Sequence, residues 1–388
     1  MEMMYTKRAE SNRSAARAGV LHLAHGDVQA PCFMPIATCG AVKHVTPQEL
    51  RRAGAEIILS NTYHLALRPG TEYLEEHSGL HSFMQWSGPI LTDSGGYQVF
   101  SLGAKSAARG GQRLVTITED GVRFRSHIDG STQMFTPESV VEHQKRIGSD
   151  IAMVLDVCPP QPCSARELAD AVRQTTRWAE RSIARAEQID MRTPAGPHRG
   201  SGQKLFGIVQ GGSDEALRRE SAQALTGMPF DGYAIGGVAV GEEQARIREA
   251  IAMTAPLLPE DKPRYLMGLG TPADIVHAVR HGVDMFDCVL PTRDARHGRV
   301  YVWTHRGEFP DGEWYERFDI DRAAHRDMDS PLDEACPCPA CRTFSRAYLR
   351  HLHHIGEPLA QRLLTIHNLT FYLELMQVIR ASIEEGTL

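Results

Sequence analysis

Eight short, apolar, β-rich runs alternate with helical segments along most of this chain, and that alternation restricts the fold more than any other feature. The runs are "PCFMPIA" from residue 31, "EIILSNTY" from 56, "PILTDSGG" from 89, "DIAMVLDVC" from 150, "KLFGIVQGG" from 204, "YAIGGVAVG" from 233, "RYLMGLG" from 264 and "MFDCVLPTR" from 285. Helix starts are readable between them. Thr46, Thr136 and Thr271 each precede a proline, which puts a capping hydroxyl ahead of a residue preset for the first helical turn. Ser164 stands three residues before Glu167, the spacing of a reciprocal capping box. Strand, helix, strand in succession implies a parallel sheet, and strands apolar along their whole length imply cover on both faces. With 388 residues available, eight such units are expected to close into an α/β fold, a (β/α)8 TIM barrel, rather than to spread as an open doubly wound sheet.

Composition narrows the function classes. At 42% hydrophobic and 23% charged, the chain can bury a large core and lies outside the disordered and fibrous classes. It carries no run of about 18 apolar residues and no secretory leader pattern, so no membrane association is expected and a cytoplasmic location is. The formal net charge of -6 excludes a protein that coats nucleic acid through its overall field. Any nucleic-acid contact has to be local.

The polar residues collect at the ends of the apolar runs: Asn61 to His64, Asp93 to Gly96, Asp156, Gln210 to Gly212, Gly236-Gly237, Met267-Gly268, and Asp287 through Arg293. In a barrel those ends converge on one face, where such enzymes keep their sites. A glycine pair or an asparagine at a strand end is, taken singly, an ordinary turn former. Three carboxylates converging at Asp93, Asp156 and Asp287 are different, because they repel unless a ligand, proton or cation relieves them. Asp287 is the most telling, a charge inside an otherwise apolar run where burial without a partner is costly. Paired carboxylates suit glycosidic chemistry, in which one attacks an anomeric carbon and another moves the leaving-group proton. Asp, Gln and bare glycine amides match the edge of a purine.

Of the eight cysteines, three stand together in "CPCPAC" at Cys336, Cys338 and Cys341. C-x-C-x2-C is metal-ligand spacing that needs a fourth donor, and His351, His353, His354 and His367 all qualify by position. Arg342, Arg346 and Arg350 follow at i, i+4 and i+8, which on one helix would form a basic stripe. With Arg293, Arg296 and Arg299 they would make a phosphate track leading to the pocket.

"LTDSGGYQVFSL", "FRSHIDGS", "VQGG", "AIGGVAVGE", "YLMGLG", "MFDCVLPTR" and the terminal C-x-C-x2-C with "TIHNL" resemble, in order and spacing, the queuine tRNA-ribosyltransferases, or tRNA-guanine transglycosylases, of the bacterial type, from about residue 18 to 385. The resemblance implies a cytoplasmic homodimer that exchanges guanine at the wobble position of G-U-N anticodon tRNAs (Asp, Asn, His and Tyr acceptors) for 7-aminomethyl-7-deazaguanine (preQ1), in queuosine biosynthesis. It implies that Asp287 is the nucleophile attacking C1′ and that Asp93 is the general acid and base, oriented by Asn61. Asp156, Gln210 and the Gly237 amide would read the base edge, the Val238 carbonyl would face the substituent at position 7, and Tyr97 and Met267 would sandwich the ring. Ser94, Cys158, Gly236 and Gly268 would complete the base site, and Arg293 and Arg296 would hold tRNA phosphates. Zn2+ would be held by Cys336, Cys338, Cys341 and His367; the family, not the spacing, selects His367.

Departures from the bacterial pattern are Val157 and Val238, where that pattern carries Glu and Leu; they bear on pocket hydrogen bonding and rim shape. Cys158 and Ala239-Val240 favour preQ1 over queuine. The stretch 191–204 reads as a flexible surface loop. The expected organisation is a barrel with an N-terminal β extension over 1–300 and a zinc-binding region with C-terminal helices packed on it over 301–388. A relative inserting queuine or preQ0, a non-catalytic tRNA-binding subunit, and a barrel hydrolase of small nucleosides or glycosides are the competing readings; the second would lack Asp287, and the third would need neither the zinc knot nor the basic stripe.

Overall fold

Each of the eight apolar runs contributes one strand to a single parallel sheet: Cys32–Met34, Ile58–Asn61, Ile90–Asp93, Ile151–Met153, Lys204–Val209, Gly232–Ile235, Arg264–Leu266 and Met285–Asp287. The computed structural model describes residues 3–99, 115–159, 162–192, 202–238, 243–310 and 314–388. Neighbours in sequence are neighbours in the sheet, and the eighth strand pairs in parallel with the first, Asp287 opposite Met34. The remaining seam closes just past the first strand, where Ile36 bridges Leu59, Leu59 N–H donates to the Pro35 carbonyl at 3.0 Å and Ala37 N–H to the Leu59 carbonyl at 2.6 Å. Closure leaves no sheet edge; the alternation that turns Asp287 to the inside turns Phe286 and its register partner Phe33 outward, where Phe33 packs against Tyr372 at 5.0 Å between ring centroids.

The helix starts read from the sequence are built as expected. Thr46, Thr136 and Thr271 accept from the backbone N–H three residues on, at 3.3, 3.1 and 3.2 Å, and Ser164 and Glu167 form the reciprocal box. Caps of this kind contribute about 1 kcal/mol each. The helix Ala165–Arg192 continues into the stretch read as a loop, of which 193–201 lie outside the described residues.

An antiparallel sheet of Tyr5–Glu10, Arg17–Leu23 and Gly26–Ala30 closes the barrel end opposite the polar tips. Its Arg17 grips Asp284, just ahead of the eighth strand, with bonds of 2.9 and 2.6 Å, and His25 contacts Asp150, just ahead of the fourth, at 2.9 Å. Past the barrel, a hairpin of Arg299–Trp303 and Tyr315–Asp319 and two short helices lead to the long helix Pro358–Glu384. That helix docks on the barrel through Asn368, which donates to the Pro291 and Arg299 carbonyls, and Tyr372, whose hydroxyl donates to the Gly270 carbonyl at 2.8 Å.

The basic stripe does not form. The helix breaks at Phe344, and Ser345 caps a new one, Arg346–His354, so Arg342 and the other two arginines lie on different helices. Arg342, Arg346 and Arg350 each donate to loop carbonyls, those of Glu334 and Ala335, Pro331 and Leu332, and Asp321 and Arg322 respectively. They bind the chain to itself.

Candidate active site

The polar tips meet around one cavity of about 450 Å3. Asn61, Asp93 and Asp287 are the last residues of the second, third and eighth barrel strands, while Gln210, Gly236 and Met267 come directly after the fifth, sixth and seventh. In a parallel barrel every strand delivers its C-terminal end to the same face, so residues scattered over the sequence arrive together. The wall includes Asn61, Asp93, Ser94, Tyr97, Asp156, Cys158, Gly236, Gly237, Val238, Met267, Gly268, Asp287 and Arg293.

Asp93 is held from several sides. Asn61 Nδ2 donates to its Oδ2 at 2.5 Å, and the Thr62 and Gly95 amides donate to its Oδ1 at 3.1 Å each. The Asn61 side-chain oxygen in turn accepts from His64 N–H at 2.9 Å, capping the helix Thr62–Leu67 and locking the amide's orientation. Burial raises the Asp93 pKa to about 7, and the charge of Asp287 adds to the rise against the hydrogen bonds that oppose it. A carboxyl poised there can both give and take a proton near neutral pH.

Asp287 is bound on one side only. Its Oδ1 accepts from the Tyr265 hydroxyl at 2.6 Å and from Gly268 N–H at 2.7 Å. Its Oδ2 has no hydrogen-bond partner among the described residues, although the side chain is buried at the cavity wall. Burial pushes its pKa upward, while Tyr265 and Gly268 favour the carboxylate. The apolar run around Asp287 therefore holds the strand, and the acid sits at its open end, with one oxygen fixed and one available.

Asp156 lines the cavity, with Gln210 Nε2 donating to its Oδ2 at 2.6 Å and Ser94 to its Oδ1 at 3.4 Å. Burial raises its pKa to about 6. Gln210 itself does not line the cavity: it is buried behind Asp156, and its Oε1 has no hydrogen-bond partner among the described residues. Gly237 is required as glycine, having φ +61° and space for a Cβ only 2.2 Å from Gln210 Oε1. Tyr97 and Met267 both line the cavity, Tyr97 largely exposed and Met267 half-buried. Arg293 is exposed at the mouth; Arg296 is half-buried, donates to the Thr292 carbonyl at 2.9 Å and lies outside the wall. Val157 belongs to an apolar cluster with Leu155 and Trp178 rather than to the wall. Ala239-Val240 lie outside the described residues.

Two further residues of the wall carry no assigned role in the sequence. Tyr265 lies two residues before Met267 and so on the same strand face, a period-2 signal that could have found it. His64 also lines the cavity, with its pKa lowered by burial and by nearby His127 and Lys43.

The thiols of Cys336, Cys338 and Cys341 surround His367 Nδ1 at 3.7, 3.6 and 3.3 Å, all four residues buried. Tetrahedral zinc with ordinary Zn–S and Zn–N bonds sets sulfur and nitrogen about 3.5 Å apart, so the donors fit such an ion. His367 Nε2 lies 2.8 Å from the Tyr301 carbonyl, which fixes the tautomer that leaves Nδ1 free to ligate. His353 is engaged with Asp321 instead.

Residues 11–388 match the family model described as Queuine tRNA-ribosyltransferase. The chain belongs to this family. Among similar proteins, the queuine tRNA-ribosyltransferase of Methylobacillus flagellatus is 51% identical over 96% of this chain and 92% of its own length. That of Thiobacillus denitrificans is 51% identical over 95% and 92%, and that of Nitratidesulfovibrio vulgaris 50% identical over 96% and 91%. Membership makes the chain a pentosyltransferase of the tRNA-guanine transglycosylase type. No helix among the described residues is long and apolar enough to cross a membrane.

Proposed function

We propose that this chain exchanges the wobble guanine of G-U-N anticodon tRNAs for preQ1 through a covalent aspartyl-ribosyl intermediate. The observation that carries the reading is the pairing of an unpartnered Asp287 oxygen with an Asp93 titrating at about 7 on the wall of one cavity. Asp287 Oδ2 attacks C1′ of the ribose; the C1′–N9 bond breaks, its electron pair leaves with guanine, and protonated Asp93 supplies the proton the base takes away. In the return step Asp93 removes a proton from the incoming base, whose nitrogen attacks C1′. The ester bond to Asp287 breaks and its electron pair returns to the carboxylate.

Asp156 accepts from the donor edge of the base, Gln210 steadies Asp156 from behind, and Gly237 supplies an N–H. Tyr97 and Met267 offer flat and polarizable faces for stacking. Arg293 binds phosphate at the mouth, with Arg296 behind it. Zn2+ at Cys336, Cys338, Cys341 and His367, when bound, supplies a structural cross-link between the segment after the barrel and the last helix. The homodimer and the cytoplasmic tRNA pool belong to this proposal.

The test is incorporation of labelled guanine into a tRNA-Tyr transcript, followed by displacement of the label with preQ1. Incorporation and displacement are expected. Normal tRNA binding with no incorporation would leave a tRNA-binding subunit, and action on free nucleosides alone would leave a hydrolase.

A further inference from the structure

Arg218 lies on the helix Glu215–Thr226, outside the barrel, and its side chain is fully buried behind the base pocket. It does not line the cavity. Its guanidinium reaches four backbone carbonyls at two strand ends: Nε donates to Gly212 at 2.8 Å, Nη1 to Gly236 at 2.8 Å and Val209 at 3.2 Å, and Nη2 to Gly237 at 3.2 Å. A planar fork with five donors is the one side chain that can hold several carbonyls at once in fixed directions.

The consequence follows from peptide geometry. In a trans peptide the C=O of one residue and the N–H of the next point in opposite directions, and the cis bonds among the described residues are elsewhere, at Pro31 and Pro69. With the Gly236 and Gly237 carbonyls both drawn onto Arg218, the N–H groups of Gly237 and Val238 point away from it, toward the cavity that both residues line. Neither N–H has a hydrogen-bond partner among the described residues. The positive φ of Gly237 sustains this turn, which a side chain there would strain. Two adjacent N–H groups turned the same way make a concavity suited to one oxygen acceptor.

We propose that Arg218 is a positioning residue that sets these two amides to receive the exocyclic oxygen of the purine base. It acts through the backbone and touches neither base nor ribose. The inference rests on the base-exchange reading and adds the device that orients the pocket. The local sequence is consistent with it: Asp214 caps the helix, and Arg218 follows one turn later beside Gly211, whose φ of +138° and missing Cβ let the helix start approach the strand end.

The test compares Arg218→Lys and Arg218→Met with wild type in guanine exchange into tRNA, each variant checked for its thermal midpoint. Loss of aligned donors should raise KM for guanine roughly tenfold or more in Arg218→Met. KM for tRNA should stay near wild type, and Arg218→Lys, which keeps one charged donor, should recover part of the loss. A fall in kcat that follows the loss of folded protein, with KM for guanine unchanged, would overturn the proposal. In the wild type, amide NMR offers a readout free of folding defects: guanine should shift the Gly237 and Val238 amide protons downfield, and unmoved amides in a guanine-saturated protein would overturn it as well. If wild type performs no exchange, the base-exchange reading fails; if it exchanges while both variants keep its KM for guanine, this inference fails alone.

Discussion

Replacing Asn61 by serine isolates one of the bonds that tune Asp93. Serine retains a capping oxygen for the helix Thr62–Leu67 but is too short to donate to Asp93, so the cap survives and the 2.5 Å bond is lost. Hydrogen bonds to charged groups contribute about 1.5–3 kcal/mol net. At about 1.4 kcal/mol per pH unit, the Asp93 titration should move by roughly one to two units. The direction is upward, because the lost donor favoured the carboxylate, so a midpoint of about 7 in the wild type becomes roughly 8 to 9. Guanine departure needs protonated Asp93, and its rate falls as pH rises through that pKa. It also needs ionised Asp287, and falls as pH drops through a value raised by burial. The two groups repel, so the limbs of the resulting bell belong to the pair. Single-turnover release of labelled guanine from tRNA, measured between roughly pH 5 and 10, should show the alkaline limb of Asn61→Ser displaced upward with the acid limb little changed. An alkaline limb unmoved in folded Asn61→Ser would refute the assignment of that limb to Asp93.

Three further outcomes are expected. Tyr265→Phe removes the 2.6 Å donor to Asp287, so the acid limb should move to higher pH and the rate along that limb should fall by roughly tenfold or more; a profile identical to wild type would contradict the pairing. Arg293→Ala should weaken tRNA binding uniformly among acceptor tRNAs and lower the slope of log affinity against log salt by about 1; an unchanged slope would remove Arg293 from the phosphate contacts. Elemental analysis should find about one zinc per chain, and chelation or Cys338→Ala should lower the thermal midpoint, with zinc restoring the chelated protein alone.

The barrel was legible because its strands carry uninterrupted apolar runs and its helices begin at Thr-Pro and Ser-x-x-Glu signals that act locally. The site was legible for the same reason at one remove: once the strands are parallel, Asn61, Asp93, Asp156 and Asp287 must share an end. The stripe of Arg342, Arg346 and Arg350 misled because periodicity cannot report the Ser345 cap that divides the helix. The antiparallel sheet of Val115–Ile117, Val122–Arg125 and Thr132–Phe135, inserted between the third and fourth barrel strands, left only short and mixed runs in the sequence. Arg218 was invisible for a different reason, since an arginine on a polar helix reads as a solvated charge until the carbonyls it serves are placed around it. Gln210 stands directly after the fifth barrel strand, where the sequence pattern puts it, with its amide turned to Asp156.

The central claim is that Asp287 becomes covalently joined to the ribose of tRNA. Incubating the protein with tRNA-Tyr in which the free base is continuously removed, quenching in acid and digesting with nuclease and protease should yield a ribosyl-bearing peptide whose modified residue, located by mass spectrometry, is Asp287. Asp287→Asn should give no adduct while still binding tRNA. Label found on Asp93, or an Asp287→Asn protein that still exchanges guanine, would contradict the account.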